Sequence, residues 1–217
     1  MKGILFDLDE TLIDRRGSLD RYARELRIDL AGRFDEEAFV AEFHRLDGAG
    51  KVPRPEFFAA VARELFDRVN PVAVERHFQT RAWRAPLLHV GMADVVREVR
   101  ARGWRSGIVT NGSVALQSAK IDNSGLRSDV DGVLISEAFG VKKPHPTIFA
   151  SLIDALDIEP AQSWFVGDDP IADIVGAKRV GLRACWIERY APWPHDQPHC
   201  YDARVADAAE LRAVLFE

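Results

Sequence analysis

The sequence predicts an α/β fold: a core of parallel strands with helices on both faces, plus a small all-helical insertion after the first strand. Three observations predict it. The run Ile4-Leu5-Phe6 is apolar without alternation, the pattern of a strand buried on both faces. Residues 14–84 carry only helical periodicity. From about His89 onward, short apolar strands alternate with amphipathic helices, which is how a parallel sheet is written. The expected division is a core of residues 1–13 and 85–217 and a helical insertion of residues 14–84.

The elements follow in order. Strand 4–6 runs straight into Asp7 and Asp9. In the insertion, Tyr22, Leu26 and Leu30 recur at four-residue steps. Phe39, Phe43 and Leu46 do nearly the same, as do Phe57, Phe58, Val61 and Leu65. Asn70-Pro71 marks a break between helices. Its charges, among them Arg15, Arg16, His44, Arg45, Lys51 and Arg54, read mostly as solvated helix faces. A helix is expected over 92–102, stopped by Gly103, then a strand over 105–109. A helix over 113–123 and a strand over 132–136 come next, then a turn through Lys143-Pro144 and a helix over 147–156. A strand over 163–166 leads to Asp168-Asp169-Pro170, a helix over 171–180 and a strand over 184–187. Val205 marks a short edge strand before a last helix over 208–215. The Pro-, His- and Trp-rich stretch 190–202 reads as a surface loop. His195, His199 and Cys200 lack the second ligand pair that a metal site needs.

Composition narrows the function. Hydrophobic residues make up 47% and charged residues 29% of 217, as in a soluble globular protein. A net charge of −5 offers no basic footprint for nucleic acid. Two cysteines, Cys185 and Cys200, fit a reducing compartment. Asp7 interrupts any signal-like apolar run, and nothing approaches a bilayer span. The expectation is a cytoplasmic protein, monomer or homodimer, with no nucleic-acid or membrane partner.

The polar residues that carry chemistry stand where strands end. Asp7 and Asp9 follow the first strand, Thr110 and Asn111 the second, Lys143 the turn after the third, and Asp168, Asp169 and Asp173 the fourth. In a parallel sheet these carboxyl ends share one edge and converge on one crevice. Asp7 and Asp168 offer the hard oxygens that magnesium takes. Thr110 and Asn111 offer hydrogen bonds to phosphate oxygens. Lys143 is the only evident cation among the acids. Taken alone, each cluster is an ordinary turn or helix cap. The ordered set is the inventory of phosphoryl transfer: metal, nucleophile and donors.

In Asp7-Leu8-Asp9-Glu10-Thr11-Leu12, Thr110, Lys143 within Val141-Lys142-Lys143-Pro144, and Gly167-Asp168-Asp169 with Asp173, the chain resembles the haloacid dehalogenase-like hydrolases. The resemblance covers residues 1–182 and extends to an α-helical cap after the first motif. It implies a Rossmann-like core and a covalent aspartyl-phosphate mechanism, with Asp7 as nucleophile and Asp9 as general acid and base. It implies Mg2+ held by the side chains of Asp7 and Asp168 and the backbone carbonyl of Asp9. Asp173 would orient the metal's waters or Lys143, and Asp169 is a supporting neighbour. Glu10 departs from the family pattern, in which Gly is frequent at this place, and His145 stands where an acid is frequent. Asp9 argues against the dehalogenase branch, which lacks this second acid. The reading is a magnesium-dependent phosphatase of a small phosphorylated metabolite. The alternatives are a phosphosugar mutase of the same superfamily and a non-enzymatic phospho-receiver-like signalling domain.

Overall fold

The structure, a computed structural model, describes residues 1–216. It divides into two compact units, residues 15–86 and the remainder.

The larger unit is built on β1 (Gly3–Phe6). It continues through β2 (Ile13–Asp14), and the chain then passes through α1 (Arg15–Asp29), α2 (Glu36–Asp47), α3 (Arg54–Leu65) and α4 (Pro71–Arg81) of the smaller unit. It returns at β3 (Leu87–Leu88) and runs through α5 (Met92–Ala101), β4 (Arg105–Thr110), α6 (Val114–Asn123), β5 (Gly132–Ile135), α7 (Ser136–Phe139) and α8 (Pro146–Ala155). It ends with β6 (Trp164–Gly167), α9 (Gly176–Lys178), β7 (Arg183–Ile187), β8 (Ala203–Val205) and α10 (Ala208–Phe216). Six strands form one parallel sheet in the order β5-β4-β1-β6-β7-β8. The expected α/β architecture is present.

Strand side chains alternate between faces. Ile4, Phe6, Trp164, Val166, Cys185 and Ile187 join one apolar cluster with Val95, Val99, Ile121 and Leu211 of α5, α6 and α10. Leu5, Val109, Phe165, Ala184 and Trp186 join the other, with Ile148, Phe149 and Leu152 of α8. Both faces are covered, which explains why the strands read as continuous apolar runs.

Two local features differ from expectation. Residues 171–180 do not form one regular helix. Asp169 O accepts from Asp173 N at 3.0 Å and Ile174 N at 3.3 Å, so a π-type turn, Pro170–Val175, precedes α9. Wide turns of this kind recur at functional sites. The second is an antiparallel ribbon in which Ile13 pairs with Leu88 and Asp14 with Leu87. Strands of two residues carry no periodic signal, so none was expected here.

The smaller unit has its own core. Tyr22, Phe39, Phe43, Phe57 and Phe78 are fully buried, with edge-on ring pairs such as Tyr22–Phe78 at 5.2 Å and Phe43–Phe57 at 5.2 Å. Asp47 is buried in the same unit and paired with Arg15 at 2.6 Å and Arg54 at 3.0 Å. Burial opposes its ionisation, but the two guanidiniums outweigh it and hold the carboxyl below its ordinary range. Among the described residues no helix is long and apolar enough to cross a membrane.

Candidate active site

Asp7 leaves the end of β1, and its backbone N–H donates to Val166 O of β6 at 2.9 Å. The ends of β1 and β6 are thereby locked side by side, and their acids with them. Oxygen atoms of Asp7, Asp168 and Asp173 lie within 4.8 Å of one another. Lys143 reaches into this group from the turn after α7. Its Nζ stands 2.5 Å from Asp7 Oδ1 and 2.7 Å from Asp173 Oδ1, and it is only 5% exposed. Asp173 is brought in by the π-type turn. A Cβ on Gly167 would overlap the Asp173 carboxylate, so only glycine lets the two approach.

Three carboxylates face one ammonium here, and the electrostatics follow. Burial pushes Asp7 up to about 7; Lys143 opposes the shift, while Asp173 and Asp9 add to it. Burial and the neighbouring Asp7 and Asp173 push Asp168 up to about 9. Burial also raises Asp173, against the pull of Lys143. Burial would deprotonate Lys143, but Asp173 and Asp7 outweigh it and hold it charged. Raised carboxyl groups beside a fixed cation are the mark of a site short of positive charge. Hard oxygens in surplus negative charge fit a small divalent cation such as magnesium.

The other expected residues take distinct places. Both polar ends of the Asn111 side chain are engaged with the backbone of Lys143: Nδ2 donates to its O at 3.0 Å and Oδ1 accepts from its N at 2.8 Å. Its side-chain amide thus braces the backbone of Lys143. Asp169 Oδ1 caps the following turn, accepting from Ile171 N at 2.9 Å and Ala172 N at 2.8 Å. Its own N–H donates to Asp173 Oδ2 at 3.0 Å. Thr110, at the end of β4, is buried. Asp9 does not join the Lys143 group. Its carboxylate is gripped by Lys120 Nζ at 2.8 and 2.7 Å.

That contact corrects the sequence reading, which saw Lys143 as the only neutralising cation. Lys120, on α6, is as buried as Lys143. With Gln117 it passed unnoticed because an ordinary helix, 113–123, accounted for both. The available signal was their three-residue spacing on a helix that starts just past Thr110. Trp186 was also missed: its indole N–H donates to Asp168 O at 2.9 Å. Glu10 adopts a left-handed backbone, φ +60°, which a glycine would enter freely. A second group, Glu10, Asp14 and His89, also brings ligand-type atoms within 4.8 Å of one another beside the ribbon of β2 and β3. His195, His199 and Cys200 form no such group among the described residues.

Comparison with known proteins places this geometry in context. A family profile described as haloacid dehalogenase-like hydrolase matches residues 1–181. The chain is similar to a glyceraldehyde 3-phosphate phosphatase of Pyrococcus abyssi, 32% identical over 206 residues, covering 87% of this chain and 82% of that one. It is similar to a phosphoserine phosphatase of Thermus thermophilus, 34% identical over 181 residues, covering 83% of this chain and 65% of that one. In fold it matches the HAD-hydrolase YfnB of Bacillus subtilis with a TM-score of 0.79 at 22% identity, covering 100% of this chain and 99% of that one.

Proposed function

Because the chain belongs to the haloacid dehalogenase-like hydrolase family, we propose that this phosphatase hydrolyses a small phosphorylated metabolite through a covalent acyl phosphate on Asp7. Supporting relatives are named for glyceraldehyde 3-phosphate and phosphoserine, both small phosphate monoesters. The observation that carries the reading is the buried group of Asp7, Lys143 and Asp173 with Asp168 beside it. No packing role calls for three clustered acids at the ends of two adjacent strands and in the turn that follows one of them.

In this mechanism an Asp7 oxygen attacks phosphorus while the bond from phosphorus to the ester oxygen breaks. Asp9 gives its proton to the departing alcohol. Asp9, now a carboxylate, then takes a proton from water as that water attacks the phosphorus of the acyl phosphate. Phosphate leaves and Asp7 is restored. Lys143 holds the Asp7 carboxylate in place and balances charge on the phosphoryl oxygens, to which the Thr110 hydroxyl donates. Magnesium would be held by the side chains of Asp7 and Asp168 and the backbone carbonyl of Asp9, and would supply electrostatic stabilisation of those oxygens. Asp173 keeps Lys143 aimed. The helical unit is the cap in this reading, and specificity is its task.

The test is acid quenching of a single turnover with labelled substrate. The native chain should yield a hydroxylamine-sensitive phosphoenzyme. Asp7→Asn should yield neither phosphoenzyme nor product. Turnover by Asp7→Asn would overturn the assignment.

A further inference from the structure

We propose that Lys120 and Gln117 are positioning residues for Asp9, fixing the carboxylate that moves the proton and tying it to the phosphate-side hydroxyl of Thr110. The inference rests on Asp9 being the general acid and base, and it goes further by identifying what holds Asp9.

The geometry is a closed chain of hydrogen bonds. Lys120 Nζ donates to both Asp9 oxygens, at 2.8 and 2.7 Å, and to Gln117 Oε1 at 2.7 Å. Gln117 Nε2 donates to Asp9 Oδ2 at 3.1 Å and to Thr110 Oγ1 at 2.6 Å. Lys120 and Gln117 are 3% and 2% exposed. They lie three residues apart on α6, hence on one helix face. Gly112 makes room for Gln117: a Cβ there would stand 2.8 Å from Gln117 Cγ.

A buried lysine needs a partner in any fold, so an ion pair alone would mean little. The partner is what matters. Lys120 grips both oxygens of Asp9, which fixes the plane of the carboxylate as well as its place. The Gln117 amide bridges that carboxylate to Thr110. Thus the proton donor and the phosphate-side hydroxyl are set against each other by one helix. General acid transfer depends on such placement, and a displacement of about 1 Å can cost roughly a hundredfold in rate. Neither side chain is assigned to the substrate, so their loss should appear in kcat and leave KM alone.

The experiment is a double-mutant cycle on an alkyl phosphate, with kcat and KM measured for Lys120→Met, Asp9→Asn and the pair. Lys120→Met alone should lower kcat about 10–100-fold with KM within about twofold. In the Asp9→Asn background the same substitution should change kcat by less than about threefold, because its target is gone. Lys120→Arg, which keeps the charge and two donors, should recover part of the loss. An equal loss in both backgrounds, or a loss confined to KM, would overturn the proposal. If circular dichroism shows that Lys120→Met does not fold, Gln117→Met takes its place in the cycle under the same criteria. Failure of the underlying reading shows separately: Asp9→Asn alone would then lose a rate factor independent of leaving-group pKa.

Discussion

Metal affinity should depend steeply on pH, and the structure sets the slope. In the metal-free protein, Asp7 and Asp168 stand near 7 and 9, both above the ordinary 3.8. Magnesium takes the ionised oxygens, so binding must displace whatever protons these groups hold. Below pH 7 both are largely protonated, and binding releases about two protons. Between 7 and 9 it releases about one, from Asp168, and above 9 none. Displacing between one and two protons over this span makes binding roughly a hundredfold or more tighter at pH 8 than at pH 6. Stability has the opposite sign without metal. A carboxyl raised on folding stabilises fully below its unfolded value, and that stability is lost as pH rises through the folded value. Chelated protein should therefore lose stability across pH 4–9 from these two groups, and saturating magnesium should restore it. Calorimetric titration with magnesium at pH 6, 7 and 8, in buffers of different ionisation heat, counts both affinity and protons. A dissociation constant that stays flat from pH 6 to 8, with no proton release, would refute the assignment of Asp7 and Asp168 as ligands.

Four further outcomes are expected. Asp9→Asn should lose about 10²–10⁴-fold on alkyl phosphates and much less on a nitrophenyl ester, read from the phosphorylation step; a loss indifferent to the leaving group would remove Asp9 from acid catalysis. Gly167→Ala should push the Asp173 carboxylate off Lys143 and cut kcat by roughly a hundredfold; near-native kcat would show that Asp173 need not sit there. Trp186→Phe removes the N–H that holds Asp168 O and should weaken magnesium binding about 10–100-fold, measured by the same titration; unchanged affinity would make that bond incidental. Asp47→Ala strands Arg15 and Arg54 and should destabilise the helical unit by about 3–5 kcal/mol in urea melts. The same triad should lose its contribution in acid, because a lowered carboxyl gives up its stabilisation as pH falls through its folded value.

The sheet and its chemistry were legible for one reason: in a parallel sheet covered on both faces, strands are apolar runs and their ends are abrupt. Ile4-Leu5-Phe6 before Asp7, and Trp164-Phe165-Val166 before Asp168, show the strand and the site in the same few residues. What escaped was set by tertiary contact. Lys120 sits on a helix whose pattern is complete without it, and nothing local says that its ammonium reaches Asp9, far back in the chain. The N–H of Trp186 and the amide of Asn111 are similar cases: a strand residue and a turn residue whose polar ends find backbone elsewhere. The π-type turn after Asp169 was hidden because it differs from an α-helix by one hydrogen-bond offset, not by composition.

The two-residue ribbon of β2 and β3 has a consequence for how the chain can change. Pairing Gly3 of β1 with Arg105 of β4 closes a long excursion, and the Asp14–Leu87 pair pins the two stems of that excursion together. Closure entropy grows only with the logarithm of length, about 0.6 kcal/mol for each doubling. Whatever lies between Asp14 and Leu87 thus weighs little on the register of the sheet, whether it is half or twice as long. Its length is therefore weakly constrained by the sheet, while the strand ends that carry the acids are held by their pairing. A shorter or longer segment joined at Asp14 and Leu87 would leave those ends in register.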